Sequence, residues 1–348
     1  MRLQPTFALT LSLAMTLLAS PLVAAPAAPG RVLIVVSGHG DGAAKTRPGF
    51  EMDELTQAWA IFADNGLAVD IASPAGGAVI ADKFDAAKPY NKRFLGDAGA
   101  AAKLTGTLPL AAARAGDYGA VFIVGGKGAM FDLPVNADLK ALLAKTVAAD
   151  GVVAAVCHGP AALINVPLVG GSSLARGRRM TGFSNAEEML FGKRWAASFP
   201  VLLEDGLRGA GATFSAAPMM LSHVVSDGRL VTGQNPYSTP QAAEAVVRAM
   251  GRIPVVRQPW TDERSIALVG RILAGDGAEA RRLLAAEPAQ YDVPLIAMWG
   301  VYRAKAAGND RASLGRAIEV MEIAAPHFSE PQLATAITDN RARLAALP

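Results

Sequence analysis

Cys157 is the only thiol among 348 residues, and the residues around it decide what it can do. It ends an apolar run, Val152 to Val156, and is followed by His158, Gly159-Pro160 and an alanine-rich segment. A buried strand breaking there into a helix would hold the thiol above the sheet, with helical N–H groups pointing at it. The expectation is a thiol that loses its proton readily, and the thiolate is the nucleophilic form. The alternative is a small core residue, the usual role of a cysteine after an apolar run. His158 fits a general base if a carboxylate orients it, or a helix-start residue with a satisfied hydrogen bond. Glu187 or Glu188 could supply that carboxylate or lie on a solvated helix face. At the start of an earlier helix, Glu51, Asp53 or Glu54 could sit near the thiol or merely complement the helix dipole. Gly125-Gly126 ends a neighbouring apolar run, where N–H groups can approach a developing oxyanion with no Cβ in the way. The same pair would also serve a tight turn with positive φ.

The elements that must position these residues are short apolar runs alternating with helical stretches. Arg31 to Ser37, Leu67 to Ser73, Gly119 to Val124 and Val152 to Val156 read as buried strands. Glu51 to Asn65 and Asn136 to Ala149 carry helical spacing between them. Such alternation predicts a parallel sheet covered on both faces, with its site beyond the carboxyl ends of the strands. Ser37-Gly38, Gly125-Gly126 and Cys157 then share one rim. Asp82 to Leu104 shows no firm period and is expected to be an insertion or loop. Arg178 to Phe183 reads as an edge or extension strand. Ser184-Asn185-Ala186-Glu187 is a capping box opening a short helix. Pro200 to Gly209 follows as a helix, Ser222 to Gly233 as a β-hairpin, and Gln241 to Met250 as a closing helix.

Composition narrows the class of protein. Half the chain is hydrophobic (51%) and 18% is charged, which excludes general disorder. A net charge of +3 with no basic cluster among aromatics gives no support to nucleic-acid binding. Arg2, the uncharged apolar stretch Phe7 to Leu18 and the small residues after it read as a secretory signal peptide. Cleavage is expected between Ala24 and Ala28, leaving a periplasmic protein with no membrane segment and a lone cysteine that has no internal disulfide partner. From about Pro254 strand signals cease. Helices are expected near Arg264–Leu273, Ala278–Ala286, Pro294–Ala306, Ala312–Ala325 and Pro331–Ala346. The resulting division is a signal peptide at 1–28, an α/β domain at 29–253 and a helical domain at 254–348 without evident chemistry.

AVCHGPAAL, with VGG closing the preceding strand, resembles the thiol site of the PfpI-like superfamily. More narrowly, GFEMDELTQAW, IASPAGG, VCHGP, GRRMTGFSNAEE, LLEDGLRGAGATF and DGRLVTGQNP follow one another as in the glutathione-independent glyoxalase (glyoxalase III) and heat-shock chaperone branch. The resemblance spans about residues 31 to 251 and leaves the tail uncovered. It implies a flavodoxin-like sheet sandwiched by helices, related to class I glutamine amidotransferases. It also implies Cys157 as nucleophile, His158 as base, Glu188 as the acid orienting it, and Glu54 as a hydrogen-bond partner of the thiol. Oxyanion N–H groups would come from Gly126 and His158, with Gly125 beside them. The activity implied is conversion of methylglyoxal, or a related small dicarbonyl, to a hydroxy acid without metal, glutathione or other cofactor. A holdase chaperone with a redox-sensing thiol and a thiol amidase or peptidase are the competing readings. A homodimer is expected.

Overall fold

The computed structural model describes residues 30–41, 46–192 and 194–348, so the signal-peptide reading lies outside the described residues. Among the described residues the chain builds nine strands: β1 Arg31–Val35, β2 Ala68–Ser73, β3 Leu108–Pro109, β4 Ala120–Ile123, β5 Val152–Val156, β6 Arg179–Met180, β7 Thr213–Phe214, β8 Val224–Asp227 and β9 Leu230–Gly233. Seven form one sheet in the order β3-β2-β1-β4-β5-β9-β8, and β6 pairs with β7 apart from it. Every neighbour in the large sheet is parallel except the β8–β9 hairpin.

The apolar runs are unbroken because both faces of the sheet are covered. Leu33, Val35, Val121, Ile123, Val153 and Ala155 point into one core. Their alternates Val32, Ile34, Ala120, Phe122, Val152 and Ala154 point into the other. Helices Met52–Asp64 and Thr239–Ala249 cover the second face through Leu55, Ile61, Phe62, Val246 and Val247. Helices Ala137–Ala148 and Leu203–Gly209 cover the first through Leu139, Leu143, Leu203 and Leu207. β1, β4 and β5 run side by side in the same direction, so Ser37, Gly125 and Cys157 come off adjacent carboxyl ends.

Three local expectations are corrected. Asp82 to Leu104 is no loop: it holds helices Pro89–Gly96 and Ala98–Thr105, each of eight residues. Two apolar anchors, Tyr90 and Phe94, give too little period for a pattern to show, although both are buried. Arg178 to Phe183 contributes only the two-residue β6, paired with β7 rather than with the main sheet. The segment after Cys157 is a 3₁₀ turn, Gly159–Leu163, instead of an α-helix.

Beyond a stretch at 252–260 with neither helix nor strand, helices Thr261–Leu273, Gly277–Ala286, Val293–Ala306, Arg311–Ala324 and Pro331–Ala346 pack around a third core. Among the described residues no helix is long and apolar enough to cross a membrane.

Phe122 is fully buried in the central strand β4, edge-on to Phe62 at 5.5 Å. Phe122→Ala is expected to cost about 3–5 kcal/mol in a urea unfolding series. A loss under about 1 kcal/mol would contradict this placement of the core.

Candidate active site

The site begins with backbone geometry. Cys157 has φ of 58°, in the left-handed region that a side chain other than glycine or asparagine enters at a cost. It is held there from both sides. Its N–H donates to the Gly233 carbonyl at 2.9 Å, continuing the β5–β9 ladder, and its own carbonyl accepts the Phe183 N–H at 2.9 Å. The turn swings the side chain off the strand line towards the end of β4.

There the two glycines make room. A Cβ on Gly125 would lie 2.7 Å from both Cys157 Cβ and His158 N. Gly126, at φ +85°, brings its backbone against Phe50 and Glu51, where a Cβ would sit 2.5 Å from Glu51 N. The Gly126 N–H faces the sulfur and favours its negative form. Gly125 does not supply an oxyanion donor, because its N–H is already given to Glu54 Oε2 at 2.6 Å. Its part is space and the seating of that carboxyl.

His158 lies between thiol and acid. Nδ1 is 3.5 Å from Cys157 Sγ, and Nε2 is 2.8 Å from Glu188 Oε2. All three side chains are buried. The imidazole is boxed by Phe183, tilted against it at 4.5 Å, and by the edge of Phe199 at 5.7 Å. Phe199 in turn meets Phe131, on which His39 stacks at 4.7 Å.

The choice between adjacent glutamates is decided by what each touches. Glu187 closes the capping box: its Oε2 accepts the Ser184 N–H at 2.9 Å while Ser184 Oγ accepts the Glu187 N–H. Its Oε1 accepts from Met220 N, Gln234 Nε2 and Asn235 Nδ2, so this buried carboxylate ties three chain segments together. Glu188, one step round the helix, points at His158. Among the first-helix acids, Glu54 faces the thiol, whereas Asp53 turns away to Lys88, Tyr90 and Asn91.

Burial holds the Glu54 carboxyl well above the usual carboxylate range, and the negative charge of Glu51 adds to it. The protonated form of Glu54 is favoured in this way. Burial also pushes the Cys157 thiol up, with the charge of Glu54 as the next contribution when that group ionises. The readily ionised thiol expected from a helix N-terminus is thus corrected. A 3₁₀ turn brings less dipole than an α-helix, and desolvation outweighs it. Burial thus favours the thiol form, with His158 Nδ1 lying 3.5 Å from the sulfur.

Sequence reasoning missed Phe183 and Phe199. Phe183 stood within a quoted motif with nothing to mark its side chain, and Phe199 precedes a proline in a stretch without period. Only the fold brings them to the imidazole.

A mostly parallel sheet in which β5, next to the central strand, ends in a thiol at positive φ with a histidine next in sequence defines the class of α/β protein. Residues 45–249 match the DJ-1/PfpI family, more than half of the chain, and the protein belongs to that family. Over 137 residues it is 38% identical to the glutathione-independent glyoxalase hsp3101 of Schizosaccharomyces pombe, a match covering 37% of this chain and 55% of that one. Glutathione-independent glyoxalase HSP31 of Saccharomyces cerevisiae is 35% identical over 142 residues, covering 39% of this chain and 60% of that one. The chain thus spans little more than half the length of the curated relatives it matches. Among solved structures, Rapid Encystment Protein 24 KDa of Francisella tularensis superposes with a TM-score of 0.59 at 34% identity, covering 63% of this chain and 98% of that one. Glyoxalase III from Candida albicans gives 0.58 at 25% identity, covering 63% and 96%.

Glu51, beside Gly126, is pushed from a usual 4.5 to about 7, first by burial and then by the Asp53 charge. The native chain then keeps a proton that the unfolded chain releases above pH 4.5, so stability falls as pH rises towards about 7. Glu51→Gln removes that fall. The melting temperature of the variant, relative to the unmodified chain, is expected to rise between about pH 5 and about pH 7.5. A difference that stays constant across this window would contradict the assignment.

Proposed function

We propose that this protein is an exported, glutathione-independent glyoxalase-type enzyme, and that Cys157, His158 and Glu188 carry the reaction with Glu54. The observation that supports this most is the buried line from Sγ through the imidazole to Glu188, 3.5 and 2.8 Å long, with the buried Glu54 carboxyl on the other side of the sulfur. The names of the curated relatives support the substrate class, a small dicarbonyl such as methylglyoxal.

With Nε2–H donating to the Glu188 carboxylate, Nδ1 presents its lone pair to the thiol. The sulfur attacks the aldehyde carbon, its proton passes by way of His158 to the carbonyl oxygen, and a hemithioacetal forms. The Gly126 and His158 N–H groups would steady the developing oxyanion. His158 then removes the proton from the former aldehyde carbon to give an enediol, and a proton is returned to the neighbouring carbon. That carbon is reduced and the sulfur-bearing one oxidised, leaving a 2-hydroxyacyl thioester. Water cleaves the carbon–sulfur bond, releasing lactate and restoring the thiol. One water is consumed and no external oxidant or reductant enters.

A neutral Glu54 donating to the sulfur can be replaced by an amide, which also donates while still accepting from Gly125. The signal-peptide reading of the N-terminus supports export to the periplasm.

Incubation of the mature protein with methylglyoxal and no added thiol, followed by NMR, is expected to show lactate. Cys157→Ser should lose at least about 10³-fold in kcat, and His158→Ala about 10²-fold or more. Full turnover by Cys157→Ser, or turnover of amides with none of methylglyoxal, would overturn the reading. Glu54→Gln should keep activity within about tenfold while Glu54→Ala loses more. A Glu54→Gln loss equal to that of Glu54→Ala would show that the carboxyl is needed charged.

A further inference from the structure

The helices after residue 260 fall outside the family match, yet they grip both elements that carry the site's acids. On one side Asp262, at the start of helix Thr261–Leu273, accepts from Tyr90 Oη at 2.7 Å and from Gln57 Nε2 at 3.5 Å. Gln57 lies on the same helix as Glu54, one turn further on. On the other side helix Val293–Ala306 reaches the Glu188 helix by two routes. Tyr302 meets Phe191 edge-on at 5.0 Å, on the last residue of helix Asn185–Phe191. The Trp299 indole N–H donates to the Met219 carbonyl at 3.0 Å. The next residue, Met220, at φ 56°, donates its N–H to Glu187 Oε1 at 2.7 Å.

Those contacts matter because the Glu188 helix is weak by itself. It has seven residues, short of the length at which an isolated helix holds in water, and its Met189 is 83% exposed. Its N-terminal end is tied by Glu187, which also holds Gln234 and Asn235. These follow Gly233, whose carbonyl accepts the Cys157 N–H. Its C-terminal end meets Tyr302. A small rotation of this helix would carry Glu188 off Nε2, and the orienting hydrogen bond would go with it.

We infer that the C-terminal helical region is a brace for the thiol site, with Trp299 and Tyr302 as positioning residues that hold Glu188 against His158. This rests on the reading of Cys157, His158 and Glu188 as one unit. Neither Trp299 nor Tyr302 touches the thiol or the imidazole, so their influence runs through the placement of helix Asn185–Phe191.

The test is the second-order rate of Cys157 alkylation by iodoacetamide in the whole chain, read beside the His158 ring N–H resonance. Trp299→Phe keeps the ring and removes the donor; Tyr302→Ala removes the edge contact from a partly exposed position. Each is expected to slow alkylation about fivefold and to shift or broaden the resonance. Tyr302→Phe should restore both. Leu314→Ala, buried in the same helical core but not among the residues that reach the Glu188 helix, should lower the melting temperature and leave rate and resonance alone. Glu188→Gln gives the reference for a broken His–Glu link. If Glu188→Gln changes rate and resonance while Trp299→Phe and Tyr302→Ala do not, the brace is wrong and the triad stands. If Leu314→Ala slows alkylation as much as Trp299→Phe, general loosening explains the effect and the brace is again wrong. If Glu188→Gln changes neither signal, triad and brace fall together.

Discussion

The left-handed backbone at Cys157 is the constraint on which the remainder depends. A residue with a Cβ at φ 58° costs of order 1–3 kcal/mol, and the surrounding structure must insist on it. It does so through the Gly233 carbonyl on one side and the Phe183 N–H on the other. The consequence is directional. A thiol that would otherwise continue the alternation of β5 into the core is turned instead towards Gly126, Glu54 and His158. Gly125 and Gly126 follow from the same constraint, since any Cβ at either position would strike the turn or the segment carrying Glu51.

Around that sulfur the two acids have different surroundings. Glu54 is buried beside another acid, accepts the Gly125 N–H, and has its protonated form favoured by that burial. Glu188 has the imidazole of His158 as its partner. Glu187, adjacent to Glu188 and equally buried, spends its oxygens on backbone and amide donors and so holds the frame in which Glu188 sits.

Much of the fold was legible in the sequence because the sheet is buried on both faces. Continuous Val, Ile and Ala runs with Gly stops mark such strands plainly, and their order with intervening helices leaves few topologies. Cys157, His158 and the glycines at 125 and 126 could be read for the same reason: they stand where those runs end. The remainder depends on contacts far apart in sequence. Pro89–Gly96 and Ala98–Thr105 were hidden because each eight-residue helix buries only one or two side chains that a pattern could register. Residue types alone left Glu187 and Glu188 equivalent; one hydrogen bond to Nε2 against several to amides separates them. The thiol's acidity was misjudged because a helix dipole can be anticipated from residue types, whereas the depth of burial cannot. The tail read as plain helix packing, and most of it is, but Asp262, Trp299 and Tyr302 reach across to elements 80 or more residues away in the chain.

In the proposed site the sulfur is governed by a protonated Glu54 on one side and a histidine held by a carboxylate on the other. Infrared difference spectroscopy between the unmodified chain and Glu54→Gln near neutral pH tests it most directly. The variant is expected to lose a carbonyl band of a protonated, buried carboxylic acid. Loss of a carboxylate band in its place would mean that Glu54 is ionised beside the thiol, and would contradict this arrangement.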